Sequence, residues 1–239
     1  MKGNEEIPWK RISIEAAAIV GSILLAFAID AWWEERHERI DETEQLARLH
    51  VEFLKNIERI DERVWESEIL DACIEVFDLI EAAQRREVAE IEVLESTMRR
   101  VLTAPTFDAD TPILNGLIRS GRLEIVEDER ILAPLATWER LLRDYTSFAE
   151  RARRSLDLHL LPAISLRGDV GSLLMRRSNF IYGRGVANTT DYVTIRIDQE
   201  LKVLVAERYR NGRIAVDMLG RARKAADDVI GAIEATQSN

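Results

Sequence analysis

Cysteine, histidine, proline, glycine and aromatic residues are all scarce in this chain of 239 residues, and each scarcity excludes something. One cysteine, Cys73, rules out an intramolecular disulfide framework and a cysteine-based zinc site, and three scattered histidines leave little for a histidine-rich metal centre. With 5 prolines, 11 glycines and 6% aromatics, turn residues and strand formers are too few for a many-stranded sandwich or barrel, whose turns recur every ~8–12 residues. Basic excess is missing too. A net charge of −10 offers nothing to neutralise a phosphate backbone, so nucleic acid is not an expected partner. What is abundant is 46% hydrophobic and 32% charged residues, enough for a real core and, with turn formers so rare, a mostly helical one.

Residues 12–33 read ISIEAAAIVGSILLAFAIDAWW, which as a helix spans about 33 Å, close to the hydrocarbon thickness of a bilayer. Three readings compete, because the uncharged interior, residues 16–29, is short enough for a buried helix or the core of a signal peptide. Ala26-Phe27-Ala28 behind Lys10 and Arg11 fits a signal-peptide cleavage site, while Glu5, Glu6 and Glu15 fit it badly. An uncleaved transmembrane anchor accounts for more. Trp9 at one end and Trp32 with Trp33 at the other match interfacial aromatic belts, and Lys10 and Arg11 suit the headgroups. These five residues mark the membrane boundary. The slight excess of Lys and Arg before the span predicts a cytoplasmic leader, residues 1–11, with residues 34–239 outside the cytoplasm.

On such a helix Glu15, Ser22, Ala26 and Asp30 fall within about 80° of one another, and Ala18 lies close to that arc. Small residues at this spacing let helices approach closely in lipid, and the five together are a candidate membrane-helix interface. The plainer alternative puts Glu15 and Asp30 at the two interfaces, about 22 Å apart, and a third makes them an ion path.

No glycine or proline occurs between Gly21 and Pro105, so one long helix, or one with a single break, is expected there. Leu46, Leu49, Phe53, Ile57, Ile60 and Val64 recur at three- and four-residue intervals as a bundle seam, either a contact surface or internal core. The polar run at 84–87 predicts a turn, and Ile91, Leu94, Met98, Val101 and Leu102 a short returning helix. Pro112 and Gly121 predict the start and stop of a short helix. Asp128 is a candidate cap for a long helix running towards Pro162, with Pro134 kinking it or marking a later start. Residues 163–195 are irregular, with one short helix near 173–179. Residues 192–197 alternate like a strand that has no evident partner, and Asp198 begins a last helix reaching about residue 235.

Charge is unevenly spread. Residues 34–95 hold 20 acids against 8 bases, whereas residues 140–224 hold 9 acids against 17 bases. Two arms of opposite sign favour antiparallel pairing, although exposed pairs contribute only about 0.2–1 kcal/mol each and apolar burial must hold the bundle. The expected fold class is therefore all-α, a single N-terminal transmembrane helix continuing into an antiparallel bundle of long helices.

The run Ile14-Glu15-Ala16 opening the anchor, Ala31-Trp32-Trp33-Glu34-Glu35 closing it, and Ser120-Gly121-Arg122-Leu123 followed by Ile125 and Asp128 resemble a group of uncharacterised bacterial single-pass membrane proteins with a helical extra-membrane region. The likeness covers the anchor and roughly residues 111–142. It implies a family without an assigned activity, supports an anchor over a signal peptide, and carries over no catalytic residue. Together with the Lys and Arg bias above, the expected location is a bacterial inner membrane with the C-terminal region in the periplasm.

Motifs for chemistry are absent: there is no Gly-x-Ser-x-Gly, Walker loop or dinucleotide fingerprint. His37 with Asp41 has metal-ligand spacing but lies on a helix so rich in acids that one such match is expected by chance. No metal, cofactor or catalytic residue is expected. The leading expectation is a non-enzymatic membrane-anchored scaffold whose partners are membrane lipid and a second copy or another membrane protein. A ligand-sensing bundle with a pocket near 163–195 is the runner-up, and a hydrolase using His159 the third.

Overall fold

The computed structural model describes residues 9–62, 65–121, 129–169 and 191–237, and within them every side chain except 9–19, 38, 65 and 66. The described residues are mostly helical, as composition leads one to expect, with one two-stranded sheet among them. Helix α1 (Trp9–Asp61) runs 53 residues, about 80 Å, and α2 (Trp65–Arg85) follows it. The helical run from Gly21 is thus interrupted near residue 62 as well as at the turn expected near 84–87. Val64 and the link itself lie outside the described residues.

The turn after α2 is made without glycine. Val88 N–H donates to the carbonyl of Ala83 (3.0 Å) and Glu87 N–H to that of Gln84 (3.2 Å), the two bonds of a Schellman motif, with Glu87 in the left-handed region at φ 56. Strand β1 (Glu90–Leu94) comes next and α3 (Glu95–Val101) after it, so the expected returning helix is half strand. Its partner is β2 (Tyr192–Arg196), antiparallel, with Ile91 opposite Ile195 and Val93 opposite Val193. These four side chains face the core while Glu90, Glu92, Thr194 and Arg196 face out. The alternation of both segments agrees with the sheet, but each strand is unstable alone, and about 100 residues separate the halves.

Helix α4 (Pro112–Arg119) starts on Pro112 and closes at Gly121 (φ 69), as the sequence predicts. Helix α5 (Glu129–Ser155) begins before Pro134 and runs through it, so of the two roles expected of the proline the later start is excluded. As the sixth residue of α5, Pro134 removes one amide donor from the first two turns, and the helix continues past it for 21 residues. A π-helical turn (Leu156–Leu160) leads without interruption into α6 (Leu161–Ser165). There Leu161 N–H reaches back to the Leu156 carbonyl, and this wider turn accommodates the missing N–H of Pro162, which therefore does not end the helix. The stretch expected to be irregular, 163–195, keeps part of α6 and all but the last residue of β2; residues 170–190, including the short helix expected near 173–179, lie outside the described residues, as does Asp128, the candidate cap of α5.

Helix α7 (Gln199–Gln237) is capped by Asp198, whose Oδ1 accepts from Leu201 N–H at 2.8 Å. It packs against α5, α1 and α2. Contacts between α1–α2 and α7 descend in step: His50 with Glu234, Asp61 with Arg223, Leu70 against Gly212 and Glu81 with Lys202. The pairing is antiparallel, and Asp61–Arg223 and Glu81–Lys202 join the acidic arm to the basic one. Two apolar cores share α7. One sets Ile69, Val76 and Ile80 of α2 against the sheet, α3 and the π-turn; the other sets Leu49 and Phe53 of α1 against Trp138 and Tyr145 of α5 and Val229 of α7. Burying each large apolar side chain contributes about 1.5–3 kcal/mol, so these cores outweigh the exposed ion pairs.

Candidate functional site

The bundle covers only part of α1. Among its described side chains the first buried one is Leu46, and from residue 20 to residue 37 every one is exposed. Val20, Ile23, Leu24, Leu25, Phe27 and Ile29, none less than 49% exposed, point in all directions from the helix. At the end of this run the Trp32 and Trp33 rings lie 6.2 Å apart, Arg36 stands 5.7 Å over Trp32, and His37 is 5.4 Å from Trp33. A charged neck follows, braced by Glu35–Arg39 and Glu44–Arg48 pairs one turn apart.

Among the described residues no helix is long and apolar enough to cross a membrane. Side chains are described from Val20 onward, so that finding concerns the second half of the 12–33 stretch; Trp9, Lys10, Arg11, Glu15 and Ala18 lie outside it. Of the remaining stripe and boundary residues, Ser22, Ala26, Asp30, Trp32 and Trp33 are all exposed.

The seam is core. Leu46, Leu49, Phe53, Ile57 and Ile60 are each at most 9% exposed, with the Phe53 ring 5.3 Å from that of Trp138. Of the two roles the sequence leaves open, external contact surface is excluded for these residues, because α4, α5 and α7 already cover them.

Two polar side chains on the border of this seam carry a role that its periodicity does not reveal. Glu52, 6% exposed, accepts from the N–H groups of Ile113 (2.5 Å, Oε2) and Leu114 (3.1 Å, Oε1), the second and third residues of α4. Thr111, next to α4, makes no capping bond through its side chain, so a carboxylate from α1 caps the helix and places negative charge at its positive end. Burial raises the Glu52 carboxyl above its usual range; the two amide bonds pull it down, and Asp110 adds to the rise. One turn on, Asn56 is fully buried, donating to the Asp110 carbonyl (2.7 Å) and accepting from Asp110 N–H (2.9 Å). Glu52 and Asn56 thus latch α4 and the preceding loop onto α1. The available signal was an acid and an amide four residues apart beside positions that are otherwise apolar. Buried Arg208 does a similar job for α3, donating through Nε to the Val101 carbonyl (3.0 Å) and through Nη2 to that of Thr103.

The groups considered for chemistry are separated or engaged. The His37 ring lies tilted against that of Trp33, and His50 pairs across helices with Glu234 at 3.1 Å. His159 lines a surface groove of about 450 Å3 with Ser155 and Glu207, but the serine hydroxyl donates to Glu207 (3.3 Å) rather than to the imidazole. Cys73 is fully buried, and burial pushes its thiol up to about 11 despite the nearby Arg208 charge. No cluster of metal-ligating side chains occurs among the described residues. No protein-family model, curated protein or solved structure matches the chain.

Proposed function

We propose that this chain is a non-enzymatic, membrane-anchored helical bundle that works by interaction, held by residues 12–33 in a bacterial inner membrane with the bundle on the periplasmic side. One observation carries the reading: the part of α1 beyond the bundle is apolar around its whole circumference and wholly uncovered from Val20 to Trp33. A helix hydrophobic on every side is stable when buried in protein or lipid, and the described bundle covers none of it. Residues 20–29 alone would span about 15 Å; joined to the preceding apolar residues the stretch reaches about 33 Å and ends on a tryptophan pair suited to an interface. The resemblance to bacterial single-pass proteins agrees with this placement. An interaction role is favoured by the lack of nucleotide-binding or nucleophile-elbow motifs in the sequence.

The test is fractionation of the full-length chain. It is expected to stay in the membrane pellet through an alkaline carbonate wash, to keep its full mass, and to lose its bundle to protease added to intact spheroplasts. Release by carbonate sinks the anchor; a mature chain beginning after Ala28 makes the segment a cleaved signal; a fully protected bundle reverses the orientation.

A further inference from the structure

Beyond Trp33, where α1 is no longer apolar all round, the apolar residues it leaves uncovered, Ile40, Ala47, Val51 and Leu54, are not scattered round the helix. Taking Trp33 as zero and about 100° per residue, Ser22, Ala26, Ile29, Ile40, Ala47 and Val51 fall within about 40°, and Leu54 within about 60°. All are exposed. Leu49, Phe53 and Ile60, buried against the bundle, centre about 180° away. One face of α1 therefore builds the bundle, and the opposite face carries a strip of small and apolar side chains about 48 Å long, broken by His37 and Glu44. Single exposed apolar residues are ordinary on a surface, but these share one line with the small residues of the apolar stretch. Near its end the strip becomes concave. Ala47 and Val51 form one wall of a groove of about 480 Å3 whose other wall is Pro112 and Ile113, brought there by the Glu52–Asn56 latch.

We propose that this strip seats a second copy of the chain, running parallel. The proposal rests on the membrane-anchored reading above, which gives both copies the same orientation. Because the bundle lies on the far side of α1, two strips can meet on a twofold axis with the bundles directed outward and clear of each other. Ser22 and Ala26 let the helices approach closely in lipid, and Trp33, Ile40, Ala47, Val51 and Leu54 lose water contact beyond it. Charge fits the parallel arrangement: Arg36 lies on one flank of the strip and Asp41 on the other. Five residues apart, they are spaced as coiled-coil flanks that pair between parallel helices, so each Arg36 meets the partner's Asp41. Glu44, which lies within the strip, carries its own counter-ion in Arg48 at 2.5 Å.

Cysteine cross-linking of the full-length chain in its membranes tests this, since the native Cys73 is buried. Ile40→Cys and Val51→Cys lie on the strip; Glu35→Cys and Arg39→Cys lie well off it. Mild oxidation is expected to give a species of twice the chain mass at several times the control yield for the two strip positions. No dimer at Ile40→Cys and Val51→Cys in a chain that keeps its helical circular dichroism, equal dimer at all four positions, or a product of some other mass would overturn the proposal. A carbonate wash of the same membranes separates the two readings. If the chain washes out, the anchor fails, and oxidation of the released chain still decides whether the strip pairs.

Discussion

Arg223 of α7 grips Asp61 of α1 with two nitrogens, Nε at 2.6 Å from Oδ1 and Nη2 at 2.9 Å from Oδ2. The bond joins residues 162 positions apart and fixes the register between the two arms. Arg223 holds the Asp61 carboxyl below its usual range. A depressed folded value means that the stabilisation is fully present above the unfolded value, 3.8, and disappears as pH falls through the folded one. Asp61→Asn is therefore expected to lower the urea midpoint slightly at pH 7, the deficit shrinking to nothing on acidification. A deficit that persists at about pH 2 would show that the pair is not its source.

Removing the latch carboxylate leaves two amides at the start of α4 without their acceptor. Glu52→Ala is expected to cost about 1–3 kcal/mol in chemical denaturation, and Glu52→Gln, which keeps one oxygen, less. Because burial raises the folded pKa of Glu52, the parent loses stability as pH rises from the ordinary carboxylate value to the raised one, and Glu52→Gln should lack that slope. Equal costs for both variants would argue that packing, not capping, is the role.

Gly168 is needed for space rather than for an unusual backbone. A Cβ there would lie 2.6 Å from the Thr194 carbonyl oxygen, on the edge where Arg196 N–H bonds to the Arg167 carbonyl (3.0 Å). Gly168→Ala should destabilise by about 1–3 kcal/mol, with hydrogen exchange accelerating first in β2. Unchanged protection of β2 would refute the close approach.

Glu87 adopts the left-handed conformation that closes α2, where glycine is the usual residue. Replacing it by glycine relieves that strain at the expense of chain entropy, and a net gain of up to about 1 kcal/mol is expected in thermal melts.

Cys73, with its thiol pushed up to about 11, is uncharged at neutral pH. A thiol reagent at pH 8 should label it only as fast as the core around α2 opens, with full reactivity in denaturant. Prompt labelling of the native chain would contradict its burial.

Local signals in the sequence located much of this fold. Pro112 with Gly121, and Asp198 before its apolar run, bound α4 and α7 because capping is a property of a few adjacent residues. The seam from Leu46 to Ile60 is periodic and is buried. The sheet was half legible: residues 192–197 alternate, yet 91–94 read equally well as the start of a helix, because a strand is defined by a partner about 100 residues away.

By itself, then, the amino-acid order determined a mostly helical chain with an apolar N-terminal stretch, an amphipathic α1 and two arms of opposite charge, since helix propensity and periodicity act within a few turns. Only the tertiary structure decided that the seam faces inward, that Glu52 caps a helix to which it is not joined, and that the opposite face of α1 stays bare. Those outcomes depend on which surfaces meet when α7 folds back along α1 and α2, and no local spacing encodes that.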